Sequence, residues 1–343
     1  MRIAHIAPVA TTIPPPKSGS VETMTSLLTE GLVRQGVDVT LFATADSRTS
    51  AKLNAIYPHG YWHDDNMWPW ELYEMLNLAC AVERADEFDL IHYEAAYYPM
   101  SLAFTRLSAT PIVQTLHHSP SQAEVKLWSR YPEAPFVAIS QEQGRLLSGL
   151  NVIGTVLHGI DTNRFIFREE PEDYLLFLGR FTEGKGVLQA IEIAKRVGMK
   201  LILAAAEDSY YRERVAPHVD GRHIVYYGEA DFDAKVKLYG AARALLYPIQ
   251  AREPFGLVLA EAMACGTPVA ALDRGAVSEV VDHGVTGMIF DDLEQMTNDL
   301  PRVFDLDRRR VRDRAVARFG AERMVNEYLA VYTRLVEAHR ARR

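Results

Sequence analysis

The sequence predicts an α/β chain built as two doubly wound, Rossmann-like domains, and three observations predict it. Short runs of four to six residues rich in Val, Ile and Leu alternate with helix-length stretches, the pattern of parallel strands covered on both faces. That alternation runs through the first half of the chain, pauses over His158–Glu172, and restarts. A length of 343 residues suits two domains better than one or three.

In order, the first half offers a strand at Ile3–Ala7, a helix from Ser20 to Gln35 stopped by Gly36, and a strand at Val37–Phe42. Further strands are expected at Leu90–Tyr93, Ile112–Leu116, Phe136–Ile139 and Val152–Leu157. Helices at Trp70–Ala85, Pro99–Leu107, Ser121–Ser129 and Gln141–Ser148 separate them. After the charged linker stretch Phe167–Asp173 come strands at Tyr174–Leu178, Leu201–Ala204, His223–Tyr226, Ala244–Tyr247, Val269–Ala271 and Met288–Phe290, with a helix at Gly186–Arg196. Three helices close the chain: Leu293–Phe304, Arg308–Phe319 and Ala321–Arg340. The expected division is residues 1–160, residues 161–320, and a C-terminal helix with a basic tail over 321–343. Ligands of open α/β sheets bind beyond the carboxyl ends of the strands, so two such sheets can face one interdomain cleft and serve two substrates.

Composition narrows the function. Two cysteines, Cys80 and Cys265, cannot make a disulfide framework or a Cys-rich metal site, and they suit a reducing compartment. The start MRIAHIAPVA lacks the basic and long apolar regions of a signal peptide, and no run is apolar enough to span a bilayer. A cytoplasmic protein is expected. With 37 basic against 45 acidic residues the net charge is −8, which argues against nucleic-acid binding. From Arg302 onward twelve arginines stand against six acidic residues, an excess of +6, so the preceding 301 residues carry −14. Either these arginines pack on the acidic body, or they offer peripheral contact to an acidic membrane surface.

The segment richest in chemistry is PIQAREPFGLVLAEAMACGTPV, Pro248–Val269. Pro254 and Gly256 precede a helical run, Leu257–Ala264, that Gly266 stops. The amides of Phe255, Gly256, Leu257 and Val258 at its tip form a natural anion site. Glu253 and Glu261 would stand about 12 Å apart if helix spanned the gap, too far for a glycosidase-type pair on one bond. They suit two contacts to one long ligand. In LLFLGRFTEGKGV, Leu175–Val187, a strand ends at Gly179 and a glycine-rich loop carries Arg180 and Lys185, the composition of a diphosphate clamp without a Walker motif. Surface cations in a turn are the plainer alternative. Gly19 and Ser20 open the first long helix, where they could touch phosphate or where Ser20 could be a simple N-cap. No G-x-G-x-x-G follows the first strand, which counts against a nicotinamide or flavin site. His117 and His118 follow the Ile112–Leu116 strand, and at most one should line a site. No third ligand at regular spacing makes a zinc centre. Gly228 and Glu229, after the His223–Tyr226 strand, could hold a base or be an ordinary turn. The aromatic stretch Tyr61-Trp62 to Trp68-Pro69-Trp70 could stack on a sugar or apolar acceptor, or serve packing.

Together these segments resemble the retaining glycosyltransferases of family 4, of GT-B architecture, over nearly the whole chain. The resemblance rests on Gly19-Ser20 before the first helix, Thr115-Leu116-His117, Val156-Leu157-His158-Gly159-Ile160-Asp161, Gly179-Arg180 to Lys185-Gly186, and Glu253-Pro254-Phe255-Gly256 through Glu261-Ala262-Met263-Ala264-Cys265-Gly266-Thr267-Pro268-Val269. It departs from the family at Ser20, usually a second glycine, and at His158, usually asparagine.

The resemblance implies a nucleoside diphosphate sugar as donor, UDP-hexose before GDP-mannose, a hydroxyl acceptor, and no cofactor or metal. It implies that Arg180 and Lys185 neutralise the diphosphate and that the amides of Phe255–Leu257 hold phosphate and sugar hydroxyls. Glu253 would meet the sugar, Glu261 the ribose, His117 the sugar from the N-terminal side, and Gly19 the phosphate and acceptor. It further implies that the last helix, whose Tyr328, Val331, Tyr332 and Leu335 share one face, packs back on the first domain. Two other readings remain at this point: a nucleotide-sugar-binding module without turnover, and a Rossmann-type oxidoreductase or epimerase.

Overall fold

The computed structural model describes residues 1–341; Arg342 and Arg343, the end of the expected basic tail, lie outside the described residues. The chain divides into two compact units: Met1–Gly159 joined by the chain from Ala321, and Ile160–Gly320. Each is a parallel sheet between helices.

In the first unit the strands are β1 (Arg2–Ile6), β2 (Asp38–Phe42), β3 (Lys52–Asn54), β4 (Leu90–Ala95), β5 (Ile112–Leu116), β6 (Pro135–Ala138) and β7 (Asn151–Thr155). They lie in the order β3-β2-β1-β4-β5-β6-β7, all parallel. Chain order reverses between β1 and β4, whose register pairs Ile3 with Leu90 and Ile6 with Tyr93. Strands β4 and β5 are buried along their whole length, as a central parallel sheet requires. One core holds Ile6, Phe42, Leu78, Ile91, Leu116 and Phe136.

The second unit contains β8 (Tyr174–Leu178), β9 (Lys200–Ala204), β10 (Ile224–Gly228), β11 (Ala244–Tyr247), β12 (Val269–Leu272) and β13 (Gly287–Phe290). Their order is β10-β9-β8-β11-β12-β13, again parallel. The reversal here falls between β8 and β11. Its core gathers Leu175, Phe177, Ile191, Leu203, Leu246 and Phe290.

The last helix, Ala321–Arg340, packs within the first unit. A methyl group on Gly31 would stand 2.3 Å from Val325 Cγ2, so this glycine admits the close approach of the two helices. Tyr328 and Tyr332 are buried, and their hydroxyls pair with Thr115 Oγ1 at 2.9 Å and His92 Nδ1 at 2.7 Å.

The arginine-rich end is largely internal fastening. Arg308 donates to the carbonyls of Arg168, Ala242 and Gly240 and to Thr267 Oγ1 at 2.7–3.0 Å. Burial pulls its guanidinium down to about 10. Arg312 donates to the carbonyls of Phe165 and Ala264, Arg318 to that of Val280, and Arg314 and Arg318 both pair with Asp282.

Two expected elements differ, and one strand was not expected. Pro99–Leu107 is a 3-10 stretch, Met100–Phe104, rather than a helix. Leu293–Phe304 breaks into Leu293–Asp299 and Pro301–Phe304, because Pro301 has no N–H to continue the first helix and instead opens the second. The short, exposed edge strand β3 carries too little apolar pattern to be read.

Candidate active site

In the second unit, the reversal point of the sheet brings together two loops that the sequence separates by more than sixty residues. After β8, Gly179 turns with φ 153° and Arg180 stands exposed. The turn Glu183–Lys185 follows, capped by Thr182 Oγ1 on the Lys185 amide. Gly184 O accepts from the amides of Gln250 and Ala251 at 2.9 and 3.1 Å, which fixes this turn against the loop leaving β11. Gly186 adopts φ 77°, and a Cβ there would lie 1.9 Å from Pro248 O, so no other residue fits.

Across this junction Lys185 Nζ donates to Glu253 Oε2 at 2.6 Å and to Tyr247 Oη at 3.3 Å. The Tyr247 hydroxyl donates to the same carboxylate oxygen. Glu253 is buried, and burial together with that carboxylate pushes the Tyr247 hydroxyl well above its usual range. The backbone of Glu253 is held as firmly: its carbonyl accepts from Ala276 at 2.8 Å, and Gly275 at φ 68° lies so close that a Cβ would stand 2.3 Å from Glu253 O. Glu253 therefore sits in a loop; the helix begins only at Leu257, so helix does not span the interval to Glu261.

Gly256, at φ 92°, is the N-cap of the Leu257–Ala264 helix, and no side chain caps its first turn. The amides of Leu257 and Val258 have no helical carbonyl behind them and present their N–H groups at the tip. Phe255 is buried and meets the edge of Phe319 at 5.9 Å, so only its backbone serves the tip. Glu261, further along, accepts from Tyr239 Oη at 2.8 Å; burial raises its carboxyl despite Lys235 nearby. Gly228 (φ 96°) and Glu229 end β10 on the same edge of the sheet, two strands from β8.

The first unit repeats the layout. Loops after β1, β4 and β5 meet at the carboxyl edge beside the β1–β4 reversal. Gly19, at φ 145°, is itself the N-cap of the Ser20–Arg34 helix; Ser20 is its first residue, exposed and without a capping bond, which corrects the N-cap alternative. A Cβ on Gly19 would lie 2.9 Å from Glu22 Oε2, a buried carboxylate that burial raises. Nearby Glu74 accepts from the Val9 amide at 3.0 Å; burial lifts its carboxyl to about 8, against hydrogen bonds from Val9 and Tyr61. The structure shows the packing role for one part of the aromatic stretch. Trp70 packs on Tyr61, Tyr97 and Tyr98 at 5.5–6.1 Å, while Trp62 and Trp68 remain 52% and 72% exposed.

His117 Nε2 donates to Glu94 Oε2 at 2.7 Å, and its ring stacks on His158 at 5.2 Å. His118 turns elsewhere, toward Glu124 at 3.4 Å and the edge of Trp128. Glu94 is buried and also accepts from His5 Nε2 at 2.9 Å. Burial opposes its ionisation, but the hydrogen bonds from His117 and His5 outweigh burial and hold it well below the usual carboxylate range. Burial drives His92 and His158 the other way, each to about 3, so both are neutral. Ligand atoms of His5, His92 and Glu94 come within 4.8 Å of one another, as in a metal site. The two rings, however, are stacked at 4.9 Å and 5°, so their lone pairs lie in parallel planes and do not converge. Their four nitrogens are already engaged by Thr29, Glu94, Thr115 and Tyr332.

The sequence did not single out Glu94, Tyr247, Glu22 or Glu74. Acidic and tyrosine residues in apolar surroundings at strand or helix ends were the available signal; what raised them to notice is the pairing that folding creates.

The two units match two family models: Glycosyltransferase Family 4 over residues 21–164 and Glycosyl transferases group 1 over residues 159–314. The lipopolysaccharide core biosynthesis mannosyltransferase LpsB of Rhizobium meliloti is 30% identical over 254 residues, covering 64% of this chain and 71% of LpsB. The N-acetyl-alpha-D-glucosaminyl L-malate synthase of Bacillus anthracis is 24% identical over 333 residues, 82% of this chain and 86% of the synthase. Among solved structures, Anabaena HepE in complex with UDP and glucose superposes with a TM-score of 0.72 at 18% identity, over 97% of this chain and 99% of HepE. The chain belongs to the family 4, group 1 glycosyltransferases, with the two Rossmann-like domains of the GT-B architecture, and it is a transferase.

Proposed function

We propose that this glycosyltransferase moves a hexosyl group from a nucleoside diphosphate sugar to a hydroxyl acceptor, with retained anomeric configuration and without a metal. The observation that carries the reading is the Lys185–Glu253 pair set beside the uncapped tip of the Gly256 helix at the β8–β11 reversal. That edge is where open α/β sheets bind ligands. A cation, the first-turn amides of Leu257 and Val258 that no side chain caps, and a fixed carboxylate within one loop junction match a diphosphate joined to a sugar.

In this reading Arg180 and Lys185 take up the charge that grows on the leaving diphosphate, the work a divalent ion does elsewhere. The amides of Phe255, Gly256, Leu257 and Val258 hold phosphate and sugar oxygens. Glu253, already held by its backbone, accepts from sugar hydroxyls, and Glu261 from the ribose. Gly228 and Glu229 lie toward the base. On the first unit, Gly19 and Ser20 approach phosphate and acceptor, and His117 meets the sugar. No residue is assigned as a nucleophile; the acceptor oxygen attacks on the face the diphosphate leaves.

UDP-hexose is the favoured donor, supported by the UDP and glucose of the HepE complex. GDP-mannose is the second, supported by the mannosyltransferase name of LpsB. No described helix is long and apolar enough to cross a membrane; contact with an acidic membrane surface would fall to exposed arginines outside the internal clamps, such as Arg310. A donor screen tests the whole. The protein is incubated with UDP-glucose, UDP-N-acetylglucosamine, UDP-galactose and GDP-mannose, with and without EDTA, and free nucleotide is measured. Release from one donor, unchanged by EDTA, is expected; release only with added divalent cation would overturn metal independence.

A further inference from the structure

The most heavily invested polar feature of the first unit is the histidine cluster around Glu94, of which the transfer described above uses only His117. Glu94, at the carboxyl end of β4, is 2% exposed, yet it carries a negative charge. A buried carboxylate is costly unless every oxygen is paired. Both oxygens are: Oε1 accepts from His5 Nε2 at 2.9 Å and Oε2 from His117 Nε2 at 2.7 Å. Around this anion His5 is fixed by Thr29 at its other nitrogen, and His92 stacks on His5 while bonding Thr115 and Tyr332. His117 is stacked in turn on neutral His158. Of the three histidines around Glu94, only His117 has a second nitrogen with no protein partner recorded among the described residues, and that nitrogen, Nδ1, is also absent from the buried unpaired atoms.

We propose that Glu94 is the positioning residue of His117: it fixes the imidazole proton on Nε2 and locks the ring plane, so that Nδ1, on the opposite side of the ring, is offered as a hydrogen-bond acceptor to a substrate hydroxyl. The proposal rests on the reading of His117 as a sugar contact. Which nitrogen of a histidine is protonated is set by the partner of the other, and an ionised carboxylate can only accept. Were the proton on Nδ1, Nε2 and the Glu94 oxygen would face each other as two acceptors in a buried site. An invariant tautomer makes His117 discriminate in favour of a donor group, a sugar hydroxyl, over an acceptor at the same place. His158 serves the same end by bracing the ring from one face.

The test combines ring NMR with kinetics on the full chain. With 15N-labelled histidine, long-range 15N–1H correlations report the His117 tautomer directly, without substrate. The wild type should show the proton on Nε2. A spectrum with the proton on Nδ1 overturns the proposal, whatever the variants do. Glu94→Gln keeps the shape but can donate through its amide, and should disturb the His117 signals and lower kcat on the order of ten- to a hundredfold. His117→Ala should lose a similar factor, and the double variant should be no worse than His117→Ala alone. Multiplying losses, or a Glu94→Gln kcat within twofold of wild type, would refute positioning. Tyr332→Phe is the structural control: it cuts a bond in the same cluster, should lower Tm, and should leave both the His117 signals and kcat in place. If Glu94→Gln does not fold, Glu94→Asp is read by the same criteria. UDP affinity, which depends on the second unit, should match the wild type in every variant; its absence in the wild type would instead count against the donor reading.

Discussion

Lys185 and Glu253 satisfy each other at 2.6 Å, so neither is left unpartnered. Lys185→Ala should lower transfer about 10²–10³-fold and weaken UDP or GDP binding, while Glu253 keeps the Tyr247 bond and the fold stays intact. Near-normal turnover, measured by nucleotide release, would refute its role. A second residue-scale prediction concerns pH. Glu74 is raised to about 8 when folded, against about 4.5 unfolded. Its contribution is therefore full below pH 4.5 and declines as pH rises toward 8, by about 1.4 kcal/mol per unit within that window. His92 and His158, lowered to about 3, act oppositely: folding loses stability as pH falls from about 6.5 toward 3, because the unfolded rings take up protons first. Urea melts across pH 4–9 should show a maximum between these limbs. Glu74→Gln should flatten the alkaline limb and steepen the acid limb above about pH 4.5; an unchanged alkaline limb would remove Glu74 as its cause.

At the scale of elements, glycines decide where strands hand over to helices. Gly256 combines φ 92° with a Cβ position 2.7 Å from Leu259 Cδ1. Gly256→Ala should destabilise the second unit by about 1–3 kcal/mol and abolish nucleotide binding, read by urea melts and calorimetry. Full UDP affinity in that variant would place the anion elsewhere. The last helix is the other decisive element. Deleting the chain after Glu322 strips Tyr328, Val331 and Tyr332 from the first unit and opens the His92–Thr115 cluster. A large loss of Tm or of soluble protein should follow, and an unchanged melting curve would contradict it. These elements also mark what was legible in sequence. Strand β8, YLLFL, is a continuous apolar run and reads directly, whereas β4, LIHYEA, and β5, IVQTL, are read from their Leu, Ile and Val residues although they also bury polar side chains. Pro301 was a visible helix breaker inside a stretch read as one helix. The short β3 edge, exposed and polar, left no periodic signal.

For the whole molecule, the two sheets reverse chain order at equivalent places, β1–β4 and β8–β11, and the proposed site residues lie at the carboxyl edge beside them. Lys185, Glu253 and Gly256 were readable because they lie in ordered local motifs: a glycine-rich turn, and a glycine before a helix. Glu94 and Tyr247 were not, because their meaning comes from partners that folding supplies: His117, 23 residues away, and Lys185, on the loop after the neighbouring strand β8. The same limit applied to the arginine-rich end, where twelve cations look like a surface charge until Arg308, Arg312 and Arg318 are seen fastening backbone carbonyls. The measurement that bears most directly on the account is a crystal structure of this chain soaked with UDP, and in parallel with GDP. It should show the diphosphate in contact with Lys185 and Arg180 and with the Gly256–Leu257 amides. A fully occupied nucleotide bound elsewhere, with that loop junction unchanged and Lys185 still on Glu253, would contradict it.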